Sequence, residues 1–435
     1  MSETVTRRRV LAIALPIVLS NATVPLLGAV DTGVIGQLGE AAPIGAVGVG
    51  AMILASIYWI FGFLRMGTTG LVAQARGAAD GPEAAALLLR GLMIAAVAGL
   101  LIVAMSGIIL HAAFGLAPAS EEVERLAGEY FSLRIWGAPA TIALYAVTGW
   151  LIAMERARAV LVIQVSMNAL NALLDFVFVL DFGWGVRGVA TASLIAEWSG
   201  LVLGLWYCRT VFFGKGAFAW SRVFDRARLL RMAAVNSDII IRSILLQASF
   251  TSFLFLGAGF GDVTLAANQV LLQFVQITAY TLDGFAFSAE ALVGQAAGRR
   301  RVTEVRRAAI VCSQWGLVFA VLQTVAYLAL GPIAVDLLTT APEVRDEART
   351  FLIWAAMTPA IGVAAWMLDG IFIGATRTRQ MRNAMIVSVA IYAVALLLLL
   401  PTLENHGLWA SLWVIFCARA VTLGLRYPAL ERAMA

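Results

Sequence analysis

What most limits the fold of this chain is a series of apolar windows, each about as long as an α-helix that crosses a bilayer. Such a helix needs about 20 apolar residues. Nine charge-free windows of that order occur: Val10–Val30, Ala41–Leu64, Gly91–Leu110, Ile135–Met154, Ser243–Gly261, Val263–Leu282, Ala308–Val335, Thr350–Leu368 and Asn383–Leu403. Three more carry one charge each: Ala159–Leu180 around Asp175, Gly188–Cys208 around Glu197, and His406–Tyr427 around Arg419. Twelve spans in 435 residues, with 61% hydrophobic and 13% charged residues, leave room only for short connections. Disordered, collagenous, nucleic-acid-binding and small disulfide-framed classes are thereby excluded. Backbone groups in hydrocarbon must be satisfied within the segment, and the windows lack the alternation of a barrel wall. The expected fold class is an all-α integral membrane protein with twelve transmembrane helices.

The formal charge of +5 does not point to nucleic acid, because the basic residues cluster between apolar runs and all but Lys215 are arginines. Counted by alternate connections, the basic side carries Arg7–Arg9, Arg76 and Arg90, Arg156 and Arg158, Arg209–Arg231, Arg299–Arg307, Arg377–Arg382 and Arg426–Arg432. The other side is led by acids, among them Glu40, the cluster Glu121–Glu129, Asp181, Asp262, Glu343 and Glu404. This alternation predicts that both termini face the cytoplasm. The apolar run after Arg9 is a full span long, so a retained first helix is expected rather than a cleaved signal. Cys208, Cys312 and Cys417 stand far apart in apolar segments and read as buried small hydrophobes.

The chain repeats itself. LVAQARG at 71–77 returns as LVGQAAG at 292–298, an offset of 221 residues. RIWGAP (134–139), ERAR (155–158) and GVATASL (188–194) have weaker echoes in IWAAMTP (353–359), TRTR (376–379) and GLWASL (407–412), in the same order. Two pseudo-symmetric six-helix lobes are expected around a central cleft, with residues 1–212 forming the first lobe and 229–435 the second. The basic, aromatic stretch between them, 213–228, reads either as a segment lying on the cytoplasmic surface or as a solvated linker.

Polar residues inside the spans are the candidate functional groups, since a charge in hydrocarbon is costly unless it faces protein or water. Asp31 ends the otherwise uncharged first span and reads as an ion or proton carrier, or as an acid at the helix end. Pro16 and Pro25 interrupt the same helix and free carbonyls for a bend. In span five Asn171 and Asp175 are four apart and share a face, which Asn168 continues one turn earlier. A carboxylate beside an amide oxygen suits a hard cation or a protonated network, and the spacing does not choose between sodium and a proton. Ser193 and Thr191 on span six are the hydroxyl partners expected for it. In the second half Asp283, Glu290 and Asp369 divide between packing networks and transport roles, and Asp238 has Arg242 four residues on as an intrahelical partner. Nucleotide-binding and catalytic metal motifs are missing, so no enzyme activity and no cofactor are expected, and transport energy must come from an ion or substrate gradient.

With those residues in view, the chain resembles the multidrug and toxic compound extrusion (MATE) transporters, and more closely their DinF-type bacterial branch. The likeness rests on PIVLSN and VDTGVIGQLG in span one, LVAQARG, NALLDFVFVLDFGWGVRGVATAS across spans five and six, LDGFAFSAEALVGQAAG in span eight and LDGIFIGATRTRQMRN in span ten. The resemblance implies two six-helix lobes and the exchange of cationic or amphipathic compounds for protons or sodium in a bacterial cytoplasmic (inner) membrane. It places the family's first-helix acid on Asp31, its bending proline on Pro16, its fifth-helix amide and acid on Asn171 and Asp175, and the helix-six hydroxyl on Ser193. Where the family commonly has LDP after that amide, this chain has LDF, ending at Phe176.

The expected function is therefore a proton- or sodium-coupled multidrug efflux antiporter working by alternating access. Sodium is the only metal considered for Asp31, Asn171 and Asp175. The expected partners are small organic substrates and membrane lipid, without nucleic acid, and the expected state is a monomer. A lipid or lipid-linked precursor flippase is the alternative, and a membrane scaffold without transport a weaker one. The flippase would call for more cationic side chains facing the cleft than Arg65, Arg134, Arg242 and Arg419 supply.

Overall fold

In hydrocarbon the helix is the element that satisfies its own backbone, and the computed structural model is helical from end to end, with no strand among the described residues. The structure describes residues 5–37, 39–213 and 219–433. The first span is broken into α1 (Arg7–Ala22) and α2 (Val24–Gly36), and the second into α3 (Ala41–Ile60) and α4 (Gly62–Gly77). Then follow α5 (Gly81–Ala104), α6 (Ser106–Leu116), α7 (Glu121–Arg134), α8 (Ala138–Ala153), α9 (Ala157–Asp175) and α10 (Gly185–Tyr207). Two single turns, α11 (Thr210–Phe213) and α12 (Trp220–Val223), lie in the middle connection; Lys215 and the rest of 214–218 are outside the described residues. The second half holds α13 (Arg226–Ala258), α14 (Asp262–Gly298), α15 (Val302–Leu338), α16 (Pro342–Gly374), α17 (Thr378–Gly424) and the short α18 (Tyr427–Arg432).

Among the described residues ten continuous segments are long and apolar enough to cross a membrane, and the last of them, Thr378–Arg432, holds two crossings. Its interior residue Glu404 has a non-helical backbone (φ 49°, ψ −127°) just after Pro401, within the predicted break LENHG. With the interrupted first span, this makes the twelve crossings expected. The helices run well past the apolar windows: α14 and α15 have 37 residues each, roughly 55 Å at 1.5 Å per residue. Windows stop at charges, whereas backbone hydrogen bonding does not. Many large apolar side chains point outward, with Leu100, Ile108, Leu322 and Leu398 each more than half exposed. In water such faces would aggregate; in a bilayer they meet acyl chains. Cys417 corrects the expectation of three buried thiols: Cys208 and Cys312 are buried, but Cys417 is exposed, because an apolar residue facing lipid needs no protein cover.

The chain forms two compact units. One comprises Met1–Val18, Ala73–Ala79 and Leu230–Ala435, the other Leu19–Val72 and Asp80–Leu229. The boundary near 229 is where the sequence changes lobe, but α1 as far as Val18 and the repeated motif at the end of α4 belong with the C-terminal helices. The N-terminal unit has its core where Val34 and Ile35 of α2 meet Leu54 and Tyr58 of α3, Tyr130 and Phe131 of α7, and Val186 and Val189 of α10. The C-terminal unit packs Phe253, Phe274, Trp409 and Phe416. Within it, buried Asn268 and Asn405 exchange hydrogen bonds of 2.8 and 3.1 Å, and the Trp409 indole donates to Asn268 Oδ1 at 2.9 Å. That clasp satisfies the polar groups beside the α17 break.

The sequence repeat is visible in the backbone. Among the described residues, the non-glycine residues with positive φ include Ala79 and Arg300, and Glu155 and Thr376; each pair is 221 apart, the offset of the repeated motif. Arg156 N–H bonds Leu151 O at 2.8 Å and Arg377 N–H bonds Phe372 O at 2.9 Å, so the same left-handed closure ends α8 and α16. The two copies of the motif also touch each other. A Cβ at Gly77 would strike the Gln295 backbone, and one at Gly298 would strike the Gln74 backbone. Gln74 and Gln295 are equivalent positions of the repeat, as are Gly77 and Gly298, so the contact is reciprocal. Small residues four apart, Ala73 with Gly77 and Gly294 with Gly298, permit this close backbone approach.

Arg90, counted from sequence with a loop, is instead buried in α5. Its Nη1 donates to Glu83 at 2.9 Å, Nε to Val223 O at 2.9 Å, and Nη2 to Arg222 O. Asp80 receives Arg222 at 2.8 Å and Glu83 receives Arg228. The end of the middle connection is thus fixed to the start of α5 by ionic and backbone contacts.

Replacing Gly77 by leucine should cost at least the ~1–3 kcal/mol typical of overpacking, because the neighbour is backbone and has nowhere to move. The melting temperature of detergent-purified Gly77→Leu should fall clearly, while Gly107→Leu, where a Cβ meets nothing within 4 Å, should melt near the parent.

Candidate functional site

Four helices of the N-terminal unit bring polar side chains into its apolar interior. Asp31 comes from α2, Asn171 and Asp175 from α9, Ser193 and Glu197 from α10, and Arg134 from the end of α7; Asp31, Asn171, Asp175, Ser193 and Glu197 are all buried. The helical spacing of four residues stacks Asn171 above Asp175 on one face of α9, and Ser193 above Glu197 on one face of α10. Asn171 Nδ2 donates to Ser193 Oγ at 3.2 Å, which joins the two helices.

Asp31 and Asp175 lie side by side, within hydrogen-bonding reach of each other. Asp31 Oδ1, both carboxylate oxygens of Asp175 and Asn171 Oδ1 are buried without a donor among the described residues. Two ionised carboxylates so placed repel each other in a medium that screens little, and a proton or monovalent cation taken up between them removes that repulsion. The Asp31–Asp175 pair, with Asn171 one turn away on α9, is therefore the candidate site for one positive charge. No group of three or more His, Cys, Asp or Glu side chains suited to a metal ion occurs among the described residues. The oxygens present suit a proton or a weakly held alkali cation rather than a transition metal.

Arg134 and Glu197 form a buried ion pair at 2.6 Å, with side chains 12% and 10% exposed. Both act electrostatically on Asp31. Gly137, in the turn between α7 and α8, makes room for that carboxylate, since a Cβ there would strike Glu197 Oε2. Tyr58 and Tyr130 stand close enough to interact with both charges. Sequence reasoning treated Glu197 as the single charge of span six and Arg134 as a cleft cation. A single acid in the middle of span six, opposite in sign to an arginine within another apolar segment, was the signal that could have paired them.

The remaining sequence candidates lie elsewhere. Asn168 is half-buried on α9, accepts from Gln164 at 3.0 Å and donates to Thr23 O at 3.0 Å. It therefore holds the carbonyl at the break in span one. Thr191 spends its hydroxyl on its own helix, at Arg187 O, 2.7 Å away. Pro16 sits inside the continuous helix α1; the interruption falls at Thr23, beside Pro25. Phe176, which replaces the family's proline, opens a π-helical turn over Phe176–Asp181 directly after Asp175. A proline there would have denied the backbone one donor.

Asp283, Glu290 and Asp369 belong to the C-terminal unit, and Asp369 is an ion-pair partner. It accepts from both Arg242 and Arg419 in a buried cluster, and Asp283 acts electrostatically on Arg419. This corrects the predicted intrahelical pair of Asp238 and Arg242. Asp238 instead binds Arg382 at 2.7 Å and the Thr378 hydroxyl at 3.0 Å, while Arg242 reaches from α13 to α16. Spacing of four residues brings two side chains onto one helix face, but a neighbouring helix offered each a better partner.

Removal of one member of a buried ion cluster leaves an uncompensated charge and typically costs 3–5 kcal/mol. Asp369→Ala, which strands two arginines, is therefore expected to lose about that much stability, read as a large drop in the melting temperature of the purified protein. Asp346→Ala, in an exposed pair with Arg349, should lose under ~1 kcal/mol.

Comparison with known proteins agrees with this architecture. The MatE family model matches residues 16–177 and 239–399, one match in each half of the repeat. The chain is 40% identical to DNA damage-inducible protein F of Escherichia coli (strain K12) over 420 residues, covering 94% of this chain and 90% of that protein. It is 27% identical to the probable multidrug resistance protein NorM of Synechocystis sp. over 338 residues, 74% of this chain and 71% of that one. Among solved structures, the Vibrio cholerae MATE transporter VcmN in its bent form superposes with a TM-score of 0.89 at 19% identity, covering 98% and 97% of the two chains. An outward-facing multidrug resistance MATE transporter superposes at 0.81 with 18% identity, covering 98% and 97%. Those likenesses give the two-lobed fold, and the family model with the 40% identical relative gives the descent: the chain belongs to the MatE family of multi-pass secondary transporters, on its DinF-type branch.

Proposed function

We propose that this protein is a cation-coupled efflux antiporter that exchanges small cationic or amphipathic organic compounds for a proton or sodium ion across a bacterial cytoplasmic membrane. The observation that carries the reading is the Asp31–Asp175 pair, buried and in contact, with three of its four carboxylate oxygens lacking any donor among the described residues. The multidrug resistance names of several relatives support small organic substrates.

In the proposed cycle the pair takes up the coupling ion from one side. Uptake cancels the repulsion between the carboxylates and changes what α2, α9 and α10 can hold between them. The ion drives export only through unequal affinity for two arrangements of the protein. The first span supplies the moving element. Its α1 part belongs to the C-terminal unit as far as Val18, and its remainder, with Asp31, to the N-terminal unit. Pro16 lies two residues before that division and Thr23 five residues after it. Bending between Pro16 and Pro25 would thus move Asp31 with the N-terminal helices, while α1 stays with the others.

One proton exchanged for one monovalent organic cation moves no net charge, so the pH difference alone would drive it, about tenfold in concentration per pH unit. If more than one cation enters per substrate, the membrane potential adds about 2.3 kcal/mol per charge per 100 mV, close to a further fiftyfold.

The expected result is that Asp31→Asn and Asp175→Asn reach the membrane in normal amount yet export fluorescent organic cations from loaded liposomes no faster than protein-free liposomes. Transport by the parent protein should follow one imposed gradient, proton or sodium, and not the other. Full gradient-driven efflux by both variants would sink the coupling role, and no response of the parent to either gradient would favour a lipid-linked substrate instead.

A further inference from the structure

We infer that the outward face of α10 is a binding site for one anionic phospholipid, with its acyl chain along the helix and its phosphate at Arg209 and Arg156. The face carries a shallow, open depression of about 690 Å³ along α10, lined by residues that include Ile195, Trp198, Val202, Leu203 and Trp206. These residues recur at three- and four-residue steps, the stripe of one helix side. The side chains are open to the surroundings: Trp198 is 43% exposed, Val202 65% and Trp206 53%. Opposite them, Ala196, Glu197, Gly200 and Gly204 of the same helix are buried in the unit.

The groove has two different ends. At one, Trp198 Nε1 donates to Trp136 O at 3.1 Å, which fixes the indole against the neighbouring turn. At the other, the Arg209 guanidinium lies 4.4 Å from the centre of the Trp206 ring, and Arg156 Nη1 donates to Tyr207 O at 2.8 Å. Arg158 is exposed two residues further on. From Leu194 to Trp206 the helix rises roughly 18 Å at 1.5 Å per residue, against about 15 Å for half of a ~30 Å hydrocarbon layer. The groove therefore matches one leaflet in length, apolar along its course and basic where α10 ends at Tyr207.

That order of chemistry selects the occupant. Ser199 is the one polar side chain in the lining, so a water-soluble ligand would find little to bind there. An acyl chain needs only apolar surface, and indole rings pack well at the border of the headgroups. Arginine forks match phosphate oxygens, and two of them converge on the last turn of the same helix. A zwitterionic lipid would bring its own ammonium to that basic end, whereas an anionic lipid brings net negative charge.

The test uses the full-length protein in phosphatidylcholine nanodiscs with a rising fraction of brominated phosphatidylglycerol or brominated phosphatidylcholine. Bromine quenches a tryptophan only on contact, and subtracting Trp206→Phe isolates the signal of Trp206. Half-maximal quenching of Trp206 is expected at a three- to tenfold lower fraction of the brominated anionic lipid. Arg156→Gln/Arg209→Gln should abolish that preference, and Arg209→Gln alone should reduce it if the double variant does not fold. Equal fractions for the two lipids in the parent protein, or a preference that survives loss of the arginines, would overturn the proposal. So would absence of quenching by either lipid, and a disulfide-linked dimer of Val202→Cys would then give the groove to a second copy of the chain.

Discussion

A polar group inside a membrane protein must find a partner in the protein, because the surrounding hydrocarbon offers none, and this requirement explains most of the buried charge here. Arg134 meets Glu197, Asp369 meets Arg242 and Arg419, Asp238 meets Arg382 and Thr378, and Arg90 meets Glu83 and two carbonyls. Each arrangement joins different helices or connections, so desolvation cost is converted into specific pairing between segments. Against that background the Asp31–Asp175 pair differs in kind. Both of its members are acids, and most of its oxygens have no donor among the described residues. That difference is what the proposed coupling role rests on.

The placement of this pair depends on interruptions of otherwise regular helices. Span one breaks at Thr23, where Asn168 takes up the carbonyl, and α9 passes into a π turn directly after Asp175. Asp175 therefore sits next to backbone that departs from the α-helix, and Asp31 lies two turns beyond the break in its own span. Such departures are common at functional sites because they re-aim side chains and lower the cost of a local change in geometry. Elsewhere the helices approach at small residues, as at Gly77 and Gly298, where backbone packs on backbone with little freedom to shift. Rigid crossings and local irregularities thus occupy different parts of the same bundle.

Several residues of the proposed site stood out in the sequence because their chemistry was out of place. Asp31, Asn171 and Asp175 are polar groups in apolar windows, and spacing of four residues put the last two on one face. The Asn171–Ser193 bond joined the helices that the resemblance had linked. Other residues were misread for a common reason: spacing describes one helix, while pairing is decided between helices. Asp238 and Arg242 satisfy the one-turn rule and still bind different partners. Arg90 looked like a loop residue because hydropathy windows end at charge, yet α5 continues through it, and the middle connection covers it.

The sequence by itself determined the twelve helical crossings, the repeat and the identity of the unusual polar residues, since bilayer thickness, backbone hydrogen bonding and internal similarity all act along the chain. The tertiary structure alone decided which charges neutralise one another and which two acids meet. It also assigned α1, as far as Val18, to the C-terminal unit. Those outcomes depend on distances between segments far apart in sequence, where the energy of a buried charge is set by its nearest neighbours in space.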